Sequence, residues 1–306
     1  MVEKTTPALE FWQRLNRNLL STVGLLMLGF IFVLCLMTPW LPLPDPDVTD
    51  LANRLKTPLS SNHWLGTDEL GRDLLSRLLW GTRVSLVVGF VATLAAALVG
   101  SLIGLVSGYF QGWIDSGLMR GVDTLMAFPS MLLALAIVAA FGPGLLNALF
   151  AIAIVNVPFF ARTVRGATIS LVKREFILAA RLGGASHLDV LSRELLPNIL
   201  PVIVVTISTT AGWMILETAG LSFLGLGAQP PTADLGSMLG EGRKLLFTAP
   251  HVSTLPGLVI LILVISLNLL GDGVRDVLDP RLRGGALRSS QPRTQVLSTE
   301  PSSGQL

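Results

Sequence analysis

The feature that most restricts this chain is a series of long stretches without a single charged side chain. No Asp, Glu, Lys or Arg occurs between Arg17 and Asp45, between Arg83 and Asp115, from Thr124 to Ala161, or from Leu195 to Leu216. A helix needs about 20 mostly apolar residues to cross about 30 Å of hydrocarbon. Within lipid every backbone N–H and C=O must be bonded inside the chain, which helices achieve segment by segment. Only 14% of the residues are charged, against about 25% in soluble domains, and the mean hydropathy is +0.66. These windows make the chain an all-α integral membrane protein. They exclude an ordinary soluble enzyme and a disordered protein.

The spans follow from the gaps. Asn18 to Pro44 holds the first, ending near Pro39-Trp40. It is too long for a signal-peptide core and no small-residue cleavage site follows, so it is expected to stay as an anchor. Val84 to Ile114 holds the second, with Gly89, Ala92, Ala95, Ala96, Gly100, Gly104 and Gly108 suited to close helix packing in lipid. Thr124 to Ala161 is 38 residues, about 57 Å as one helix. Two helices are therefore expected there, turning at Phe141-Gly142-Pro143-Gly144. Leu195 to Leu216 and Leu255 to Gly271 complete a count of six.

Lys and Arg then set the orientation. With the N-terminus inside, residues 1–17, 111–123, 162–194 and 272–306 carry 15 basic residues, and the segments 45–83 and 218–250 carry 7. Both termini are predicted to be cytoplasmic. The net charge of +2 supplies no field for a polyanion, so no nucleic acid is expected as a partner. The single cysteine, Cys35, excludes an intrachain disulfide and a Cys-based metal cage. His63 has no second ligand at metal spacing, so no metal site is expected.

Four stretches exceed what hydropathy explains. In His63 to Arg77, Leu70, Leu74, Leu75, Leu78 and Leu79 form a helical stripe opposite Arg72, Asp73, Ser76 and Arg77. This predicts an interfacial helix capped by Thr67 or Asp68: either a connector packed on the bundle or an external element facing a solute or soluble partner. The loop Arg162 to Pro197 reads as a short amphipathic helix, a Gly183-Gly184 break, a second short helix, and Pro197 opening the next span. Small Ala179 and Ala180 would let another protein's surface approach, although any two-helix interfacial loop could share this pattern. Glu217 is an acid inside or at the end of the fifth span; a charge at that depth is costly, so it should face a cavity or a partner helix unless it is hydrated at the surface. The stretch Leu221 to Pro231 that follows contains Ser222 and Gly225, and its glycines and prolines predict irregular backbone. Asn268 to Arg283 closes the last span, and residues 284–306 are polar enough to be predicted disordered.

Together these stretches resemble the permease subunits of ATP-binding-cassette importers, specifically the C-type subunit of the dipeptide, oligopeptide and nickel family. The family's coupling motif runs Glu-Ala-Ala, three residues, Gly, nine residues, Ile, one residue, Leu-Pro. Ala179, Ala180, Gly184, Leu196 and Pro197 match it, and Leu178 and Glu194 depart from it. A contact made by the motif's Glu therefore does not carry over. The stretches 63–77, 221–231 and 267–283 resemble further subfamily signatures, with Leu235-Gly236 where Trp-Gly is usual.

The resemblance implies a type I importer permease fold in a plasma membrane, expected to be a bacterial inner membrane. It divides the chain into an N-terminal segment 1–82, a five-helix core 83–283 with coupling loop 162–197, and a cytoplasmic tail 284–306. Glu175, Ala179, Ala180, Gly183, Gly184, Leu196 and Pro197 would form the ATPase-coupling loop; Glu217, Ser222 and Gly225 would belong to the pathway or gate. Implied partners are a sister permease forming the other half of the pathway, two cytoplasmic ATP-binding-cassette subunits, an external solute-binding protein and a peptide in transit. ATP and Mg²⁺ would be used by the partner subunits, since this sequence has no Gly-x-x-x-x-Gly-Lys-Ser/Thr loop. The absence of a His, Cys and carboxylate cluster disfavours a dedicated nickel site. An alternative from the residues alone is a self-sufficient proton-coupled transporter or channel using Glu217. An intramembrane enzyme is set aside because the spans hold no His-Glu-x-x-His and no pair of aspartates.

Overall fold

The computed structural model describes residues 18–60 and 63–278. The segment 1–17, the tail 284–306 and the final part of the 268–283 signature lie outside the described residues. No strand occurs among the described residues. Among the described residues, nine α-helices of eight or more residues carry the fold: α1 (Leu19–Met37), α2 (Leu74–Phe110), α3 (Gly112–Met126), α4 (Ser130–Phe141), α5 (Leu145–Val172), α6 (Glu175–Leu182), α7 (Leu196–Phe223), α8 (Leu235–Gly242) and α9 (Pro250–Leu278).

Five elements are long and apolar enough to cross a membrane: Leu19–Trp40, Leu74–Phe110, Leu145–Val172, His187–Phe223 and Pro250–Leu278. A sixth span exists only if α3 and α4, bent by 88° at their junction, are counted together. The turn at Phe141-Gly142-Pro143-Gly144 falls where the sequence placed it, and Asn147 Nδ2 donates to the carbonyls of Phe141 and Gly142. The single helix expected between Thr124 and that turn is not observed. Pro129 is itself extended, with ψ 129°, and lacks an N–H to continue the ladder. What remains, α4, has 12 residues, about 18 Å and too short to span alone.

The expected interfacial helix around Leu70–Leu79 also differs. Helix α2 begins at Leu74, is capped by Asp73 accepting from Ser76 N, and runs unbroken through the second span. Neither Thr67 nor Asp68 is its cap. The polar face opposite the leucine stripe is buried, which agrees with a connector packed on the bundle: Asp68, Arg72, Asp73, Ser76 and Arg77 are all 5% exposed or less. Amphipathic periodicity identifies two faces but not which one meets solvent. Here the polar face meets other polar groups.

The centre of the bundle is the crossing of α2 with α5. A Cβ on Gly100 would lie 2.6 Å from Phe160 Cβ, and one on Gly108 would lie 2.6 Å from Thr168 Cβ. Gly104, between them, faces the backbone of Ala161 and Arg165. Glycines four residues apart thus form a groove along one face of α2, and α5 lies in it, gaining dispersion contact where no hydrophobic force drives helices together in lipid. Helix α9 packs between α7 and α1, and α8 rests on α7, α9 and the start of α2. Asn18 Nδ2 donates to Asp276 at 3.2 Å, so the described chain starts and finishes at one end of the bundle.

Candidate functional site

That same end carries α6. Its Ile177 is fully buried in a cluster with Leu105, Tyr109, Val164, Val190, Leu195 and Ile199, which fastens the helix to α2, α5 and α7. The other face is open: Phe176, Leu178, Ala179, Arg181 and Leu182 are exposed, Leu182 by 90%. Glu175 lies exposed in the first turn, where its charge suits the helix dipole.

The break after α6 has a defined geometry. Gly184 adopts φ +84°, its N–H donates to Arg181 O at 3.1 Å, and Ala185 N donates to Ala180 O at 3.1 Å. This is a Schellman cap with glycine at the left-handed position, where a Cβ is disfavoured. Gly183 precedes it with an ordinary negative φ. Among the described residues, nothing beyond its chain neighbours lies within 4 Å of a Cβ placed on Gly184. The motif's glycine is thus set by backbone conformation here, and its outer side is free.

Beyond the cap, Ser186 starts the turn His187–Asp189 by accepting from Asp189 N at 3.2 Å. His187 Nδ1 lies 2.8 Å from Tyr109 Oη at the end of α2. The second short helix expected here is not separate: His187–Asp189 and a π-helical stretch Val190–Leu195 run directly into α7. The wider turn accommodates Pro197, which has no N–H for the usual bond four residues back. Leu196 and Pro197 are exposed at the start of α7. The end is braced by Arg165 of α5, whose Nε and Nη2 donate to the two carboxylate oxygens of Asp115 of α3, both at 2.6 Å.

Glu217 lies well inside α7 and is 7% exposed, so the hydrated-surface reading is excluded. Asn156 Nδ2 of α5 donates to Glu217 Oε2 at 2.7 Å, and Ser130 Oγ, in the first residue of α4, donates to Oε1 at 3.1 Å. The acid therefore joins three helices and accepts α4 where its dipole is positive. Ser222 and Gly225 lie elsewhere, at the end of α7 remote from α6. There the helix stops at Phe223, Gly225 turns with φ +82°, and both residues line a cavity of about 620 Å³. The three pathway candidates are thus split between a helix junction and a cavity.

Sequence reasoning missed Ser130 and Asn156, although a lone amide amid the apolar residues 148–161 was an available signal. It also missed the ion cluster at the cavity. Arg72 Nε is 2.6 Å from Asp68 Oδ2 and its Nη2 is 2.9 Å from Glu241 Oε2, across 169 residues of sequence. His63 Nδ1 contacts Asp73 Oδ2 at 2.8 Å. A second cavity of about 580 Å³ lies at the α6 end among α5, α7 and α9, with Thr163, Asn198, Thr206, Thr209 and Arg275 on its wall.

The matches to known proteins make the chain a multi-pass permease subunit of an ATP-binding-cassette importer, a class in which separate subunits hydrolyse ATP. The chain belongs to the family described as binding-protein-dependent transport system inner membrane component, whose model matches residues 100–284; the N-terminal TM domain of oligopeptide transport permease C matches residues 6–58. It is 44% identical over 278 residues, 91% of each chain, to the dipeptide transport system permease protein DppC of Alkalihalophilus pseudofirmus. It is 45% identical over 279 residues, 91% of this chain and 92% of the other, to the glutathione transport system permease protein GsiD of Shigella flexneri. Among solved structures, an inward-facing form of the MetNI methionine ABC transporter shares the fold, with a TM-score of 0.54 and 22% identity over 67% of this chain and 97% of that one.

Proposed function

We propose that this chain moves di- or oligopeptides and forms half of the pathway with a sister permease. The α6 end faces the cytoplasm, so both termini do as well, and α6 seats against an ATP-binding-cassette subunit that binds ATP and Mg²⁺. The opposite end receives solute from an external binding protein. The observation that carries this reading is α6 itself, anchored beneath by Ile177 and ended by Gly184, with its small and apolar outer residues uncovered by this chain. Placement of Asn18 and Asp276 at the α6 end agrees with the distribution of Lys and Arg. The peptide assignment is supported by the names of the relatives, one for dipeptides and one for glutathione.

The test is purification of the C-terminally tagged chain from native membranes in mild detergent, with mass spectrometry of what accompanies it. Two phosphate-loop ATPases and a second permease are expected. Recovery of the chain alone, in a gentle preparation repeated under crosslinking, would overturn the reading.

A further inference from the structure

At the end remote from α6, two guanidinium groups share the same acids unequally. Arg72 takes the short contacts to Asp68 and Glu241. Arg77, only 1% exposed, is left with carboxylate oxygens at 3.5 Å (Asp68), 3.8 Å (Glu241) and 3.9 Å (Asp47). Its Nη1 donates to the carbonyls of Pro46 and Pro231 at 3.2 and 3.4 Å, while its Nε–H has no hydrogen-bond acceptor among the described residues. A guanidinium presents five donors in a fork suited to a carboxylate. Arg77 therefore has three acids within ion-pair range but no carboxylate in its fork, and a buried guanidinium held so loosely is costly.

Arg77 lines the 620 Å³ cavity, a volume within the range of small-ligand sites. Arg243 and Lys244 lie exposed on the same wall, Arg243 stacked over Phe223 at 5.7 Å. Glu69 and Glu241 bring carboxylates to the same wall, Glu241 already paired with Arg72. With Asp68, the wall carries four cations against three acids.

We propose that this cavity is a receiving site for a small zwitterionic solute, binding its free carboxylate through Arg77, with Arg243 and Lys244 at the rim, and its amino group through Glu69 or Glu241. This rests on the peptide reading above for the choice of solute; the carboxylate requirement rests on Arg77 and its neighbours. Ser222 and Gly225 share the wall, which assigns them to this site rather than to the Glu217 junction.

The experiment uses the full chain with its co-purifying subunits in nanodiscs, free of binding protein. Ligand-observed saturation-transfer NMR compares L-alanyl-L-alanine with L-alanyl-L-alaninamide, which keeps the amine and lacks the carboxylate. Loss of a charge-assisted pair should weaken the amide roughly tenfold or more. Lys244→Met, at an exposed position, should weaken the dipeptide several-fold without touching the fold, and Arg77→Gln should abolish the preference for the carboxylate. Equal binding of dipeptide and amide, or no binding of either, would overturn the proposal; so would full affinity in folded Arg77→Gln. Dipeptide uptake by cells carrying the unaltered chain separates the two claims. Uptake with no carboxylate preference in the NMR refutes only this site, whereas absence of peptide uptake refutes the substrate reading.

Discussion

Replacing Glu217 with Gln and with Leu should give sharply different results. Glu217 accepts from Asn156 at 2.7 Å and from Ser130 at 3.1 Å. Gln keeps an oxygen for Asn156 and presents an NH₂ that can donate to the Ser130 hydroxyl, so its cost should stay below about 1 kcal/mol. Leu removes both acceptors. Asn156 retains its bond to Ile152 O at 2.9 Å, which limits its loss, but the Ser130 hydroxyl has no second bond among the described residues. The sum is about 1–3 kcal/mol, the lower end reflecting the modest worth of side-chain bonds between helices in lipid. At about 2–4 °C per kcal/mol, the Leu variant should lose several degrees in the thermal midpoint of the solubilised protein, and Gln at most a few. The double variant Glu217→Leu with Asn156→Val should be clearly less destabilised than the sum of the singles. Solute uptake should follow the same order. If Gln is as damaging as Leu to uptake while leaving the midpoint unchanged, the junction reasoning fails, and a carboxyl group is needed for transport itself.

Other substitutions test other levels. Gly184→Arg should leave membrane abundance near normal and abolish uptake, since only a docked partner can clash there; normal uptake at normal abundance would remove α6 from the coupling role. Gly184→Ala should cost about 1 kcal/mol from its left-handed backbone, and any larger effect on uptake measures how closely a partner approaches. Gly104→Val should force α2 and α5 apart, at about 1–3 kcal/mol or more, read as reduced folded yield and midpoint. Asp68→Asn should cost about 3–5 kcal/mol by leaving Arg72 and Arg77 inadequately paired; an unchanged midpoint would show that the cluster does not fasten the segment before α2.

Much of this architecture was legible because charge is excluded from lipid and glycine and proline interrupt helices. The charge-free windows located the spans, and Phe141-Gly142-Pro143-Gly144 located a turn. Small residues on the second span marked the α2 face that receives α5, but not which helix would lie there. The bend before α4 is hidden because residues 124–141 carry no charge, and a window average does not weigh one Pro129. The ion pairing of residues 72–77 is invisible in the sequence because the partner Glu241 lies 169 residues away from Arg72, and pairing at that range leaves no local pattern. Gly184 was found through motif spacing; only the backbone explains it, as the left-handed residue of a helix cap. Glu217 was singled out as costly, yet its donors come from two other helices and carry no periodic signal.

Seating of α6 against an ATPase subunit is most directly tested by a cysteine at Ala180. The only native cysteine of this chain, Cys35, is buried and 5% exposed, so a short crosslinker with a maleimide at one end and a photoreactive group at the other, applied to inside-out vesicles, will attach to this chain at position 180. The expected product is an adduct between this chain and a phosphate-loop ATPase, identified by mass spectrometry, with a yield that changes when ATP and vanadate are added. Absence of any ATPase adduct, while the thiol at position 180 reacts fully with a small maleimide, would contradict the coupling role of α6.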